Sequence, residues 1–189
     1  MVSSTVYGIE PILNQVYKIL NNLGYEVWMS HKGTLPVYSS QSAFDNCLQA
    51  VKKADLFLCI ITPQYGSGRS ENSLSITHKE LLMAIKLKKL RWVLAHDHVV
   101  FARSLLANLG YPTQIDRKTL RLRKSPIFGN LKVIDMYEDA TLDFVPLANR
   151  KGNWVQKYSS LEDITTYVSA QFKNYDRIKD LFVSKVQTK

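Results

Sequence analysis

The chain has 189 residues, 46% of them apolar, and a formal net charge of +9. That length supports one well-buried core rather than two, so a single domain over residues 1–189 is expected. No apolar stretch approaches the roughly 20 residues of a membrane-spanning helix, and the opening MVSSTVYG lacks the basic and hydrophobic regions of a signal peptide. A membrane role is therefore not expected, and the cytoplasm is the expected compartment.

Residues 2–6 read as the end of a first strand, a short one because only Met1 and Val2 precede the SST. Ile9, Ile12, Leu13, Val16, Ile19, Leu20 and Leu23 then recur at helical spacing, and Gly24 closes that helix. A second strand is expected over residues 25–29, then a polar loop over 30–40 carrying Gly33 and Pro36, and a helix whose inner face is Ala43, Phe44, Cys47, Leu48 and Val51. Residues 55–62 read as a strand whose Leu56, Phe57, Leu58, Cys59, Ile60 and Ile61 are unbrokenly apolar, as a central parallel strand covered on both faces requires. A helix over 77–90 and a strand over 92–95 follow.

Beyond residue 100 the pattern weakens. Residues 101–109 read as helical, 110–130 as an irregular basic insertion, and 131–136 as an additional strand. Residues 154–158 form the last expected strand. Ser160 and Asp163 stand in capping-box positions at the head of one long helix running to about residue 183, with Ile164, Val168, Tyr175, Ile178 and Phe182 as candidate core positions. Alternating strands and helices predict an α/β fold: a parallel sheet of about five strands flanked by helices. The core spans residues 1–100, and the carboxyl-terminal strand and helix span 154–183.

Ten lysines and arginines fall between residues 86 and 124. A basic stripe attracts anions in general, but this one has neither interleaved aromatics nor a nucleic-acid-binding module, so a solvated face is expected and nucleic acid is not the expected partner. Cys47 and Cys59 sit in apolar patterns and read as free thiols without chemistry. Of the four histidines, His96 and His98 flank Asp97 at a strand end. Strand alternation points the two imidazoles the same way with no third ligand, so no metal is expected. P-loop, G-x-S-x-G and G-x-G-x-x-G motifs are all missing from the sequence.

The segment ADLFLCIITPQYGSGRSENSLSITHKELL orders an apolar strand, a glycine- and serine-rich loop, and a helix with Glu80 in its expected first turn. Open α/β sheets bind small ligands beyond the carboxyl ends of their strands, where such loops and helix amino-termini converge. Glu80 is thus a candidate acid at a candidate cleft. Its simplest local role is a helix-stabilising charge worth about 0.3 to 1 kcal/mol.

The short first strand ending in VSST, the following Tyr7 and Gly8, the strand and loop ADLFLCIITPQYGS, and SITHKELLMAI together resemble the TIR-like domains of prokaryotic defence proteins over about residues 1–95. The resemblance implies a flavodoxin-like sheet and, in catalytic members, cleavage of the nicotinamide–ribose bond of NAD. It also implies that the catalytic glutamate stands three residues after a small Cys or Ser on the helix following the third strand. Thr77 and Glu80 have that spacing, with Thr77 in place of the commoner residue and Ile76 where many TIR domains carry tryptophan. A carboxylate there would stabilise or capture an oxocarbenium-like ribosyl centre as neutral nicotinamide departs, which needs no second acid.

Ser3, Ser4 and Thr5, with Tyr7 beyond them, could offer hydroxyls to ribose or phosphate and a ring to nicotinamide; ordinary turn and capping chemistry explains them equally well. Tyr65, Gly66, Ser67, Gly68 and Arg69 form the loop before the helix, where backbone N–H groups and Arg69 could meet phosphate. NAD+ enters this reading as substrate, with no cofactor and no metal. The product would be ADP-ribose or a cyclised ADP-ribose signal. Self-assembly into a homo-oligomer and a separate effector protein, as in Thoeris-type antiphage defence, are implied by the resemblance alone. The alternatives are a nucleoside deoxyribosyltransferase-like enzyme, a non-catalytic TIR-like interaction module using loop 30–40 and the basic face, and nucleic-acid binding through residues 86–124.

Overall fold

The computed structural model describes residues 1–68, 73–123, 125 and 127–187, with side chains to residue 184. In chain order the elements are β1 (Val2–Ser4), α1 (Glu10–Asn22), α2 (Ala43–Lys53), β2 (Leu56–Ile61), α3 (Ile76–Lys86), β3 (Leu90–His96), α4 (Asp97–Asn108), α5 (Gln114–Arg117), α6 (Lys132–Thr141), β4 (Val155–Tyr158), α7 (Leu161–Phe172) and α8 (Tyr175–Gln187). The strands form a four-stranded parallel sheet in the order β1-β2-β3-β4, with Ser3 beside Cys59 and Cys59 beside Val93. This is the α/β, flavodoxin-like arrangement expected of alternating strands and helices. Among the described residues no helix is long and apolar enough to cross a membrane.

Because side chains alternate along a strand, β2 feeds two cores. Leu58 and Ile60 face Leu13, Val16 and Leu20 of α1 and Ile164, Val168 and Phe172 of α7. Phe57, Cys59 and Ile61 face Val51 of α2, Leu81 and Ala84 of α3, Val99 of α4 and the inner side of α6. This double burial is why Leu56–Ile61 carries no polar alternation.

The structure departs from the sequence reading in four places. Residues 25–29 are not a ladder strand, leaving four strands among the described residues where about five were expected. Their alternation is genuine, with Val27 and Met29 buried and Val2 N–H bonded to Trp28 O at 2.9 Å. The Thr34 hydroxyl donates to Val27 O at 2.6 Å and accepts from Met29 N–H at 3.1 Å on the edge opposite β1, and the chain turns at Ser30 into a short 3-10 helix before a ladder with β1 is built. Residues 131–136 belong to helix α6 rather than to a strand. The buried Val133, Met136 and Ala140 recur at helical spacing once the window extends past Met136.

The long carboxyl-terminal helix is two helices. The Asn174 side chain accepts from Arg177 N–H at 3.0 Å, acting as the amino-terminal cap that starts α8 after a break at Lys173. Finally, the basic insertion is partly ordered and partly neutralised. Thr113 and Asp116 form a capping box on α5, and the 3% exposed Arg117 pairs with Asp135 at 2.7 Å and with Glu138 of α6. Arg103 joins Glu138 and Asp143, and Arg150 joins Asp143. Lys86, Lys88, Lys118, Arg121 and Arg123 stay exposed, so the stripe that remains is narrower than the sequence count implies. Lys124 lies outside the described residues.

Candidate active site at the carboxyl end of the sheet

Ser75 caps α3, its hydroxyl accepting from His78 N–H at 3.3 Å. The helix therefore opens at Ile76, and Glu80 is its fifth residue, past the first turn. This corrects the sequence reading of Glu80 as a first-turn acid held by the helix dipole. The side chain instead turns inward against the sheet and is only 5% exposed.

Beneath α3 the Glu80 carboxylate accepts a short hydrogen bond from the Ser3 hydroxyl of β1. The Cys47 thiol of α2 lies near enough to favour the ionised form as well. Ser3 is 2% exposed, so both partners lie away from bulk water. Burial raises the carboxyl from its usual range to about 7, and the Ser3 hydrogen bond and the nearby Cys47 thiol oppose that rise without cancelling it. The result is a carboxyl group poised between its two protonation states near neutral pH. Burial and the Glu80 charge in turn push the Cys47 thiol up to about 11 and raise the fully buried Cys59 thiol. Both cysteines are free, as expected, but Cys47 has a place in the site that the sequence reading did not give it.

The loop entering α3 is tied down around this carboxylate. Gly66 has a left-handed backbone, φ +79°, and a Cβ there would stand 2.9 Å from the Thr5 hydroxyl at the end of β1. Gly68 bridges Ser75, and its Cβ would meet Leu74 O at 2.7 Å. Ile76 N–H donates to Ser67 O at 3.0 Å. Glycine is thus demanded at both positions, by backbone angle at Gly66 and by close approach at Gly68.

The residues singled out from the sequence fall into distinct roles. Ser3 touches Glu80 directly, and Thr77 is buried one helical turn before it. Thr5 lies against Gly66, while Ser67 and Tyr7 are exposed, Tyr7 by 81%. The Ser4 hydroxyl donates to Ile60 O at 2.9 Å and is occupied with the sheet. Tyr65 is buried, its hydroxyl 2.7 Å from Nδ1 of His78, and His78 Nε2 is 2.7 Å from Asp139 of α6. Tyr65 therefore anchors the loop from below. Arg69 lies outside the described residues.

Sequence reasoning missed Ser75, Cys47 and the Tyr65–His78–Asp139 chain. A serine directly before the apolar helix face was a legible cap signal; the other contacts cross long stretches of chain and leave no local pattern. A cavity of about 170 Å³, lined by Tyr25, Lys53, Asp55 and Phe172 among others, lies at the opposite, amino end of the strands and does not include Glu80.

Fold and site together define a parallel α/β protein with a buried carboxylate behind the carboxyl end of its edge strand, beside a glycine-shaped loop. The chain belongs to the family described as a domain of unknown function, DUF4062, whose model matches residues 1–173. No curated protein and no solved structure matches it.

Proposed function

We propose that this protein is a TIR-like NAD-consuming enzyme that cleaves the nicotinamide–ribose bond, releasing nicotinamide and giving ADP-ribose or a cyclic ADP-ribose-type product. The observation that carries the reading is Glu80 itself: a carboxyl withheld from water, hydrogen-bonded by Ser3, and set at the end of the sheet where α/β folds bind ligands. When ionised in that low-dielectric setting, Glu80 stabilises the ribosyl cation far better than a surface carboxylate would, or captures it covalently. The departing nicotinamide carries away the positive charge as a neutral base, so one carboxylate suffices. Thr5, which lies against Gly66, and the exposed Tyr7 and Ser67 are the side chains offered to ribose and phosphate. The sequence resemblance to TIR-like domains of defence proteins adds the expectation of a homo-oligomer and of a separate effector that responds to the nucleotide product.

A second reading, nucleoside deoxyribosyl transfer, is favoured by the elevated Glu80 carboxyl. With a midpoint of about 7, a good fraction carries a proton at neutral pH, and transferring a nucleobase requires its protonation as it leaves. Incubating concentrated protein with NAD+ and, separately, with a mixture of a deoxynucleoside and a second free base, followed by chromatography, separates the two. Nicotinamide release supports the first reading and base exchange the second. Neither product at any protein concentration leaves a non-catalytic interaction module.

A further inference from the structure

The turn from β3 into α4 brings together three polar side chains outside the surroundings of Glu80. On an extended strand, His96 and His98 would point one way and Asp97 the other. The strand ends at His96, however, and α4 begins at Asp97, so one ligand atom from each of His96, Asp97 and His98 falls within 4.8 Å of the others. The two imidazoles lie 4.5 Å apart, and His96 is held from behind by the Tyr158 ring at 5.1 Å.

The contact between His96 and Asp97 is the informative one. Nδ1 of His96 accepts a hydrogen bond from the backbone N–H of His98 at 3.1 Å and so caps α4, and an ion takes that nitrogen's one lone pair only by displacing the cap. It nevertheless stands 2.8 Å from Oδ1 of Asp97, a buried oxygen with no hydrogen-bond partner. The two atoms are close in distance but not aligned as donor and acceptor. Two lone-pair atoms this near repel unless a positive centre lies beside both, and the His98 N–H bonds the imidazole while Oδ1 is left without a partner. His98 Nε2 is 4.0 Å from the same Oδ1, and its side chain is 55% exposed, free to swing inward.

From this geometry we infer that His96, Asp97 and His98 form a binding site for a divalent transition metal of the zinc class. Two imidazoles and one carboxylate are a donor set such ions prefer, and three protein ligands leave at least one coordination position for water or an anion. Ligands about 2.0 to 2.2 Å from a tetrahedral ion stand about 3.3 to 3.6 Å apart, so the site forms as the 2.8 Å His96–Asp97 edge opens slightly and His98 rotates in from 4.0 Å. The site opens at the same carboxyl end of the sheet as Glu80, two strands away from β1. A proton on His96 Nδ1 would satisfy the same contact and is the competing explanation.

The test is titration of untagged, chelator-treated protein with Co2+, read by its visible d–d absorption and by calorimetry, beside His98→Ala and Asp97→Asn. Both substitutions are at partly exposed positions, and circular dichroism reports whether each variant is folded. The expected result is saturable binding at one ion per chain, weakened about tenfold or more in each folded variant. Absence of saturable binding in the wild type would leave the proton as the answer and overturn the site. Binding undiminished in both variants would overturn it equally, by placing the ion elsewhere.

Discussion

The Ser3 hydroxyl, on the edge strand, donates a hydrogen bond to the Glu80 carboxylate on α3, and 77 residues of chain separate the two buried partners. The contact fixes the carboxylate against the sheet instead of leaving it on the helix surface. It also supplies part of what keeps a charge tolerable at that depth.

Stability should therefore depend on pH through Glu80. The unfolded carboxyl titrates near 4.5 and the folded one near 7, so between those values the native state holds a proton that the unfolded state has lost. Stability is then highest below about 4.5 and falls as pH rises through about 7, by about 3 kcal/mol from this group. Glu80→Gln removes that slope and should be the more stable protein at pH 8. Denaturant midpoints for both proteins at pH 5 and pH 8 check it; parallel pH dependences would contradict it.

Ser3→Ala removes a donor that favours the ionised carboxylate, so the Glu80 midpoint should move above 7 and the rising limb of the rate-against-pH profile should move with it. The fold should weaken by about 1 to 3 kcal/mol, since a buried acceptor loses its partner. Cys47→Ala should shift the limb in the same direction. An unmoved limb in both variants would separate Glu80 from the titration that governs the rate.

Gly68→Ala should spoil the loop without unfolding the core. The new methyl meets Leu74 O at 2.7 Å, a backbone atom that cannot swing aside, and the bridge between Gly68 and Ser75 must open. Nicotinamide release should drop well below wild type while far-ultraviolet circular dichroism stays native. Wild-type turnover would mean that the loop's shape does not matter to the site.

The chain from Tyr65 through His78 to Asp139 should behave as one unit, because it joins the loop, α3 and α6 through two 2.7 Å contacts. Tyr65→Phe and Asp139→Asn should each destabilise the fold, and the double variant by less than the sum, with a coupling of about 0.5 to 3 kcal/mol. Additive losses in a double-mutant cycle would show the two contacts to be independent.

Much of this architecture was written locally. The apolar run of β2, the helical face of α1 and the capping box at Ser160 and Asp163 each state their structure within a short window. The errors arose where the chain broke off a pattern its apolar positions continue: residues 25–29 turn away at Ser30 after the Val2–Trp28 bond, and Asn174 restarts a helix whose apolar positions run on past the break. At the site, the position of Glu80 was legible from the order of strand, loop and helix. Its burial was not, because whether α3 starts at Ile76 or Thr77 depends on the Ser75 cap, and Ser3 and Cys47 meet the carboxylate only once the sheet has formed. The convergence of His96, Asp97 and His98 was hidden for a similar reason: the strand ends one residue too early for alternation to hold.

The most direct measurement of the central claim is chromatography of NAD+ incubated with concentrated wild-type protein and with folded Glu80→Gln at pH 8, where the wild-type carboxylate is ionised. Nicotinamide with ADP-ribose or a cyclic isomer should accumulate with the wild type and be missing with the variant. Equal release by the two proteins, or none from the wild type at any concentration, would contradict the assignment of Glu80 as the residue that breaks the nicotinamide–ribose bond.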